Sequence, residues 1–255
     1  MKMGRQARQF SETGLYHIVF RGVNHCHLFE EDADYEKFLT ILKTVKNEFQ
    51  FDLYAYCLMS NHVHLLIKEI NIGDIVGIMK KILTHYAGWF NRKYKRSGSL
   101  IANRYKSECV KNDEYLFSLV RYIHQNPVKA GIIEKTEEYQ WSSYTDYIKG
   151  KSDITDDNFI LETLSQDKET AVKAFVNLHE LFDDNEYIPS DSKRKTEAQV
   201  RREIIKLSDG MEPNHIASLE KNDRNELIAK IKLGGLSIRQ IERATGISRG
   251  IIAKC

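Results

Sequence analysis

The sequence predicts an α+β fold: a ferredoxin-like antiparallel sheet with helices on one face, followed by an all-α C-terminal region. Three observations carry this. Short stretches alternate apolar and polar residues and are rich in β-formers. Longer stretches repeat apolar residues at three- and four-residue spacings. Their order over the first half is β-α-β-β-α-β-α, and from Val200 onward the pattern is helical to the end.

The elements follow in order. GLYHIVFRGV (Gly14–Val23) is a strand by its alternation. DADYEKFLTILKTVKNEF (Asp32–Phe49) sets Tyr35, Phe38, Leu42, Val45 and Phe49 along one side of an amphipathic helix. FDLYAYCLM (Phe51–Met59) is a second strand. A Ser-Asn turn leads into HVHLLIKE, a third strand antiparallel to the second. The stretch from Ile72 to Tyr94 is a long helix, broken by KRSGS. RYKSECVKN (Arg104–Asn112) supplies a fourth strand. Asp113–Gln125 is a third helix, and Pro127 is expected to end it, because the residue before a proline is pushed out of the helical region. After Trp141–Tyr144 the polar run KGKSDITDDN predicts a boundary near Gly150. The expected organisation is an α+β domain over 1–150, a helical connector over 151–195 with two short helices, and a helical domain over 196–255.

Composition narrows the class. With 255 residues and 42% hydrophobic content the chain can bury a sizeable core. Its formal net charge is only +2, so nucleic-acid affinity has to come from local basic patches. The four cysteines, Cys26, Cys57, Cys109 and Cys255, are scattered without a CxxC pair, which argues against a zinc ribbon or a disulfide framework and fits a reducing, cytoplasmic setting. The basic N-terminus is not followed by an apolar run, and no stretch of membrane-spanning length occurs, so neither a signal peptide nor a membrane partner is expected.

The chemistry starts at MSNHVHLLI (Met59–Ile67). Alternate side chains of a strand share a face, so His62 and His64 stand together while Val63 faces away with Leu65. Two fixed imidazoles suit a divalent cation. Taken alone, such a pair is more often a polar edge or a packed pair than a ligand set. On the third helix Tyr122 and Asn126 stand four apart on one side; by themselves they read as a core tyrosine and a helix cap. His25 and His27 form a second HxH in a loop without fixed geometry, read as surface or substrate-contact residues. His17 reads as a packed or edge histidine.

MSNHVHLLI, then YLFSLVRYIHQNPVKAGI, then WSSY, in this order, resemble the single-tyrosine HUH transposases, in the branch of the REP-associated tyrosine transposases. The opening YHIVFRGVNHCHLFEEDADYEKFL also resembles that family's first strand, loop and helix, so the likeness runs from about Gly14 to Tyr147. The resemblance implies the HUH nuclease fold, with His62 and His64 as the metal-binding pair, Tyr122 as nucleophile and Asn126 as third ligand. Some relatives carry Gln at the third position, and the adjacent Gln125 competes for that role. The implied activity is a metal-dependent single-stranded DNA endonuclease and transesterase, a transposase, that recognises hairpin-bearing DNA and forms a 5′-phosphotyrosine intermediate. The implied cofactor is Mg²⁺ or Mn²⁺, the partner is single-stranded hairpin DNA, the location is the cytoplasm with the nucleoid, and a homodimer is left open. The alternative is a non-catalytic regulator that binds hairpin DNA or RNA.

Basic residues gather around this core: Arg92, Lys93, Lys95 and Arg96, then Arg104, Lys106 and Arg121. They read as phosphate contacts, which position DNA without reading sequence, or as solvated helix ends. Tyr94 and Tyr105, interleaved with them, could stack on unpaired bases. The tail GLSIRQIERATGISRGIIAKC has a helix-turn-helix pattern, with Gly246 at the turn and Ser248 as N-cap. It resembles the DNA-binding C-terminal domain of replication-initiator proteins. Ser237, Arg239, Ser248, Arg249 and Lys254 are its candidate DNA contacts, and a plain packing hairpin is the other reading.

Overall fold

Strands β1 (Leu15–Arg21), β2 (Asp52–Met59), β3 (His62–Lys68) and β4 (Lys106–Cys109) form one antiparallel sheet in the order β2-β3-β1-β4. Helices α1 (Asp32–Phe49) and α2 (Asp74–Lys93) connect them in the expected β-α-β-β-α-β sequence. The computed structural model describes residues 10–150, 152–181, 197–208, 210–234, 236 and 238–255.

Alternation decides which side chains meet which helices. Tyr16, Ile18 and Phe20 of β1 and Val63, Leu65 and Ile67 of β3 point to one face, where Phe38, Leu42 and Val45 of α1 and Ile78, Ile82 and Tyr86 of α2 cover them. This is the helical layer the sequence predicts. The opposite face is covered too, which corrects the expectation of helices on one face only. There Leu15, Ala55, Cys57 and Leu66 pack under α3 (Asp113–Lys129) through Leu119, Val120 and Ile123. The physical reason lies in β2, which is buried along seven consecutive residues from Leu53 to Met59. A strand apolar on both faces needs a layer on each.

Helices α4 (Tyr144–Lys149), α5 (Asn158–Leu164) and α6 (Lys168–Glu180) complete that second layer. Tyr147, Ile160, Leu161, Ala171 and Phe175 share one buried cluster with α3 and the sheet. The chain accordingly divides into compact units Met1–Ile188 and Pro189–Cys255. The polar run after Gly150 is a surface crossing within the first unit, and Asp156 ties it down by accepting the Leu53 backbone N–H at 2.7 Å and pairing with Lys46 at 2.9 Å.

Helix α3 does not stop before Pro127 but continues to Lys129. A proline leaves the carbonyl four residues back without its N–H. Here that carbonyl belongs to Ile123, and the Asn126 side-chain Nδ2 donates to it at 3.3 Å and to the Tyr122 carbonyl at 2.8 Å. The asparagine thus replaces the donor that its neighbour lacks.

The second unit contains α7 (Glu197–Leu207), α8 (Lys221–Leu233), α9 (Ile238–Thr245) and α10 (Arg249–Lys254). Val200, Ile204, Ile216, Ile228, Ile231, Ile241 and Ile252 make its core. Gly246, at φ 73°, makes the turn after α9 in a left-handed conformation that suits glycine.

Candidate active site

The β2–β3 turn and the loop after β1 build one edge of the site. Gly22 N donates to the Asn61 carbonyl at 2.9 Å, and Leu28 N donates to the Ser60 carbonyl at 2.7 Å, so the turn entering β3 is held from outside the hairpin. His62 and His64 leave β3 on the face under α3, their rings 5.2 Å apart and nearly perpendicular. His62 Nδ1 lies 2.7 Å from Asn61 Oδ1. An amide oxygen only accepts, so Nδ1 carries the proton and Nε2 offers a lone pair.

Both imidazoles are held neutral. Burial, with smaller contributions from the charges of Arg21 and His25, pushes His62 down to about 4. Burial pushes His64 well below its ordinary value, with His17 and His62 adding to the effect. Neutral nitrogens are what a cation requires.

Tyr122, half-buried on α3, stands edge-on to His64 with ring centroids 5.6 Å apart. Lys129 Nζ lies 5.0 Å from the Tyr122 ring centroid. Asn126, one turn further, commits its amide nitrogen to its own helix, so its oxygen is the atom available for a ligand. Gln125 is turned away: its Nε2 donates to the His179 and Leu181 carbonyls at 2.8 and 3.1 Å at the end of α6. This arrangement favours Asn126 over Gln125 beside Tyr122.

Two imidazoles and an amide oxygen form a donor set that fits a divalent cation and carries no negative charge. Among the described residues no group of three His, Cys, Asp or Glu could hold a metal by itself. The amide and oxygens from a substrate would have to complete a coordination shell.

The structure also brings in residues the sequence did not assign to the site. His17 on β1 is fully buried with its ring stacked on His64 at 5.3 Å, and it is edge-on to Tyr122 at 6.1 Å. It is the packed histidine of the sequence reading, but packed inside the site. Arg21 is the direct cross-strand partner of His62. The alternation of β1 already puts His17 and Arg21 on one face; the strand register that matches them to β3 is what the sequence withholds. His25, exposed and left-handed at φ 61°, is near enough for its charge to act on His62, whereas His27 pairs with Glu30 at 3.5 Å on the surface.

The basic residues separate into two groups. Arg92 and Arg104 are exposed, Lys106 is half-buried on β4, and Arg96 lies over the Phe90 ring at 5.6 Å. Lys93 is a structural cation instead: it pairs with buried Asp34 and with Glu31, the two residues that form the capping box of α1. Arg121 lies near enough to His179, on α6, for its charge to act there. The tyrosines are not stacking platforms. Tyr105 is buried in the core, and Tyr94 donates to Asp34 at 2.8 Å while packing on Phe90.

In the second unit Ser248 occupies the N-cap position of α10, but its side chain makes no capping bond. Arg249 is ion-paired with Glu242 at 2.5 Å. Ser237 and the side chains of Arg239 and Lys254 lie outside the described residues.

Comparison with known proteins gives three findings. The family model described as "Transposase IS200 like" matches residues 11–126, a span that includes His17, Arg21, His62, His64, Tyr122 and Asn126. A Haemophilus influenzae protein described as a REP-associated tyrosine transposase is 26% identical over 163 residues, covering 58% of this chain and 90% of that protein. A solved REP-associated tyrosine transposase bound to a REP hairpin superposes with a TM-score of 0.50 at 17% identity, covering 58% of this chain and 86% of that one. At that identity the likeness establishes the fold. No helix among the described residues is long and apolar enough to cross a membrane.

Proposed function

Because its residues 11–126 make this chain a member of the IS200-like transposase family, we propose that it is a single-tyrosine DNA strand transferase acting on hairpin-bearing single-stranded DNA. The observation that carries the proposal is the convergence on one sheet face of the His62–His64 pair and the Tyr122 ring, 5.6 Å from His64.

Tyr122 is the nucleophile. Its phenolic oxygen bonds to the scissile phosphorus as the bond from phosphorus to the 3′ oxygen breaks. The phenol proton goes to solvent, and the departing 3′ oxygen takes a proton from water. The chain is left attached to the 5′ phosphate as a phosphotyrosine, and a 3′ hydroxyl attacking that ester reverses the step without ATP. His62, His64 and Asn126 would hold Mg²⁺ or Mn²⁺. Bound there, the cation would polarise the phosphate oxygens and stabilise the leaving oxygen. Arg21, beside His62, and the exposed Arg92 and Arg104 supply positive charge for the strand's phosphates.

A hairpin is assigned as the recognised feature because the fold neighbour was solved bound to one. The α9–turn–α10 segment is assigned to DNA as well, through Arg239, Ser248, Arg249 and Lys254. With α10 only six residues long, phosphate contact suits it better than base reading. Cytoplasmic residence with the nucleoid follows from such a substrate.

The test is a labelled single-stranded hairpin incubated with the full chain and Mn²⁺. A strand labelled on the 3′ side of the nick should become protein-linked, and one labelled only on the 5′ side should not. No adduct from any hairpin in a diverse pool would favour a non-catalytic binding protein; the opposite labelling would reverse the polarity.

A further inference from the structure

His17 is fully buried, and its Nε2 lies 3.1 Å from His64 Nδ1. Its other nitrogen, Nδ1, is buried with no hydrogen-bond partner among the described residues. A neutral imidazole carries one N–H, so a single proton sits between the two rings, and it can sit in two ways. If His17 donates, the remaining nitrogen of His64 is an N–H and cannot ligate a cation. If His64 donates from Nδ1, its Nε2 keeps a lone pair, and the proton of His17 is left on the orphaned Nδ1.

The second arrangement gives both histidines of the pair the same state. Asn61 Oδ1 accepts from His62 Nδ1, His17 Nε2 accepts from His64 Nδ1, and each ligand presents Nε2. Outer-shell acceptors of this kind fix both the tautomer and the ring orientation of metal-bound histidines. A carboxylate is a frequent choice for that task; two neutral acceptors keep negative charge away from a site that must receive phosphate.

We propose that His17 is the positioning residue that holds His64 in its Nδ1–H tautomer, with Nε2 directed to the cation. The proposal rests on the cation reading given above, and its test separates the two. In the metal-free full chain with ¹⁵N-labelled histidine, His64 should resonate as the Nδ1–H tautomer. In His17→Phe, which keeps ring and volume but has no acceptor, His64 should shift toward Nε2–H. Mn²⁺ affinity, read from the free-ion electron paramagnetic resonance signal, should fall about 10- to 100-fold. His17→Gln places an amide oxygen near the lost Nε2 and should restore the tautomer and most of the affinity. A His64 tautomer and Mn²⁺ affinity indifferent to His17→Phe would overturn the role of His17. Mn²⁺ binding that is absent from the unaltered chain, or unaffected by His62→Ala, would overturn the cation reading, and with it the purpose assigned to His17.

Discussion

Two pairs of buried histidines flank the tyrosine helix, and their hydrogen bonding differs at two nitrogens. In the pair between α3 and α6 every group is matched. Ser143 Oγ donates to His124 Nε2 at 2.7 Å, His124 Nδ1 donates to His179 Nε2 at 2.9 Å, and His179 Nδ1 donates to the Phe175 carbonyl at 2.8 Å. The Tyr56 backbone N–H donates in turn to Ser143 Oγ at 2.9 Å. A carbonyl can only accept, so the direction of this chain is fixed from its end, and no imidazole nitrogen is left over. The pair between β1 and β3 has no such anchor: His17 Nδ1 finds no partner among the described residues, and His64 Nε2 is the nitrogen that would face a cation. On the proposed function, the closed pair serves cohesion, while the open pair leaves His64 a lone pair for an ion.

The contrast can be broken by substitution on either side. On the open side, His62→Ala should lower hairpin cleavage by about 10³-fold, the scale of deleting one contact to developing charge. DNA affinity should stay within a few-fold, and a chelator should have the same effect as the substitution. Cleavage at the normal rate in chelator would remove the metal from the account. On the closed side, His124→Ala should cost about 3 kcal/mol of stability in urea unfolding, from the cavity and from the stranded Ser143 and His179 groups. Cleavage per folded molecule should be little changed there; a stable but inactive His124→Ala would mean that the closed pair takes part in the reaction.

Acid sharpens the comparison. Burial holds His179 at about 4 and His17 at about 3, below the 6.5 they have when unfolded. Between about pH 6.5 and 4 the unfolded chain therefore binds more protons, so stability falls as pH falls, by about 1.4 kcal/mol per pH unit for each such histidine. Added Mn²⁺ should raise stability by a near-constant amount across this range and leave the slope unchanged, since His62 and His64, which would hold it, are already neutral there; a thermal-melt series with and without the ion measures both the offset and the slope. The smallest effect extends the contrast to the cations. Arg104→Ala should lower the salt dependence of hairpin binding by about one unit of slope, while Lys93→Ala should leave it unchanged, because Asp34 and Glu31 already neutralise that lysine.

Much of this was legible in the chain. Strand alternation and helical spacing locate the sheet and its first three helices, with α1 matching residue for residue, and they put His62 with His64 and Tyr122 with Asn126. What escaped depends on contacts between distant positions. The capture of Lys93 by Asp34 spans 59 residues, and the closed histidine chain joins α3 to α6 across 55. The placement of His17 against His64 needs the β1–β3 register, which pairs Val19 with His64 and no local pattern specifies. The second helical layer was hidden because KGKSDITDDN looks like a linker whether it crosses a surface or joins domains.

Asn126 and Pro127 behave as one unit with a division of labour between their atoms. The proline removes a backbone donor, the asparagine nitrogen fills the gap, and the oxygen of the same amide is thereby aimed in one direction only. A primary amide is nearly symmetric in shape and ordinarily free to present either end. Here the helix keys it, so the rotational freedom of a would-be ligand is surrendered when the chain folds and not when an ion arrives. Pro127→Ala would hand the Ile123 carbonyl back to the backbone and release the amide to turn over. The helix would gain regularity while the ligand became a mixture of orientations, a trade in which better secondary structure makes a worse coordination site.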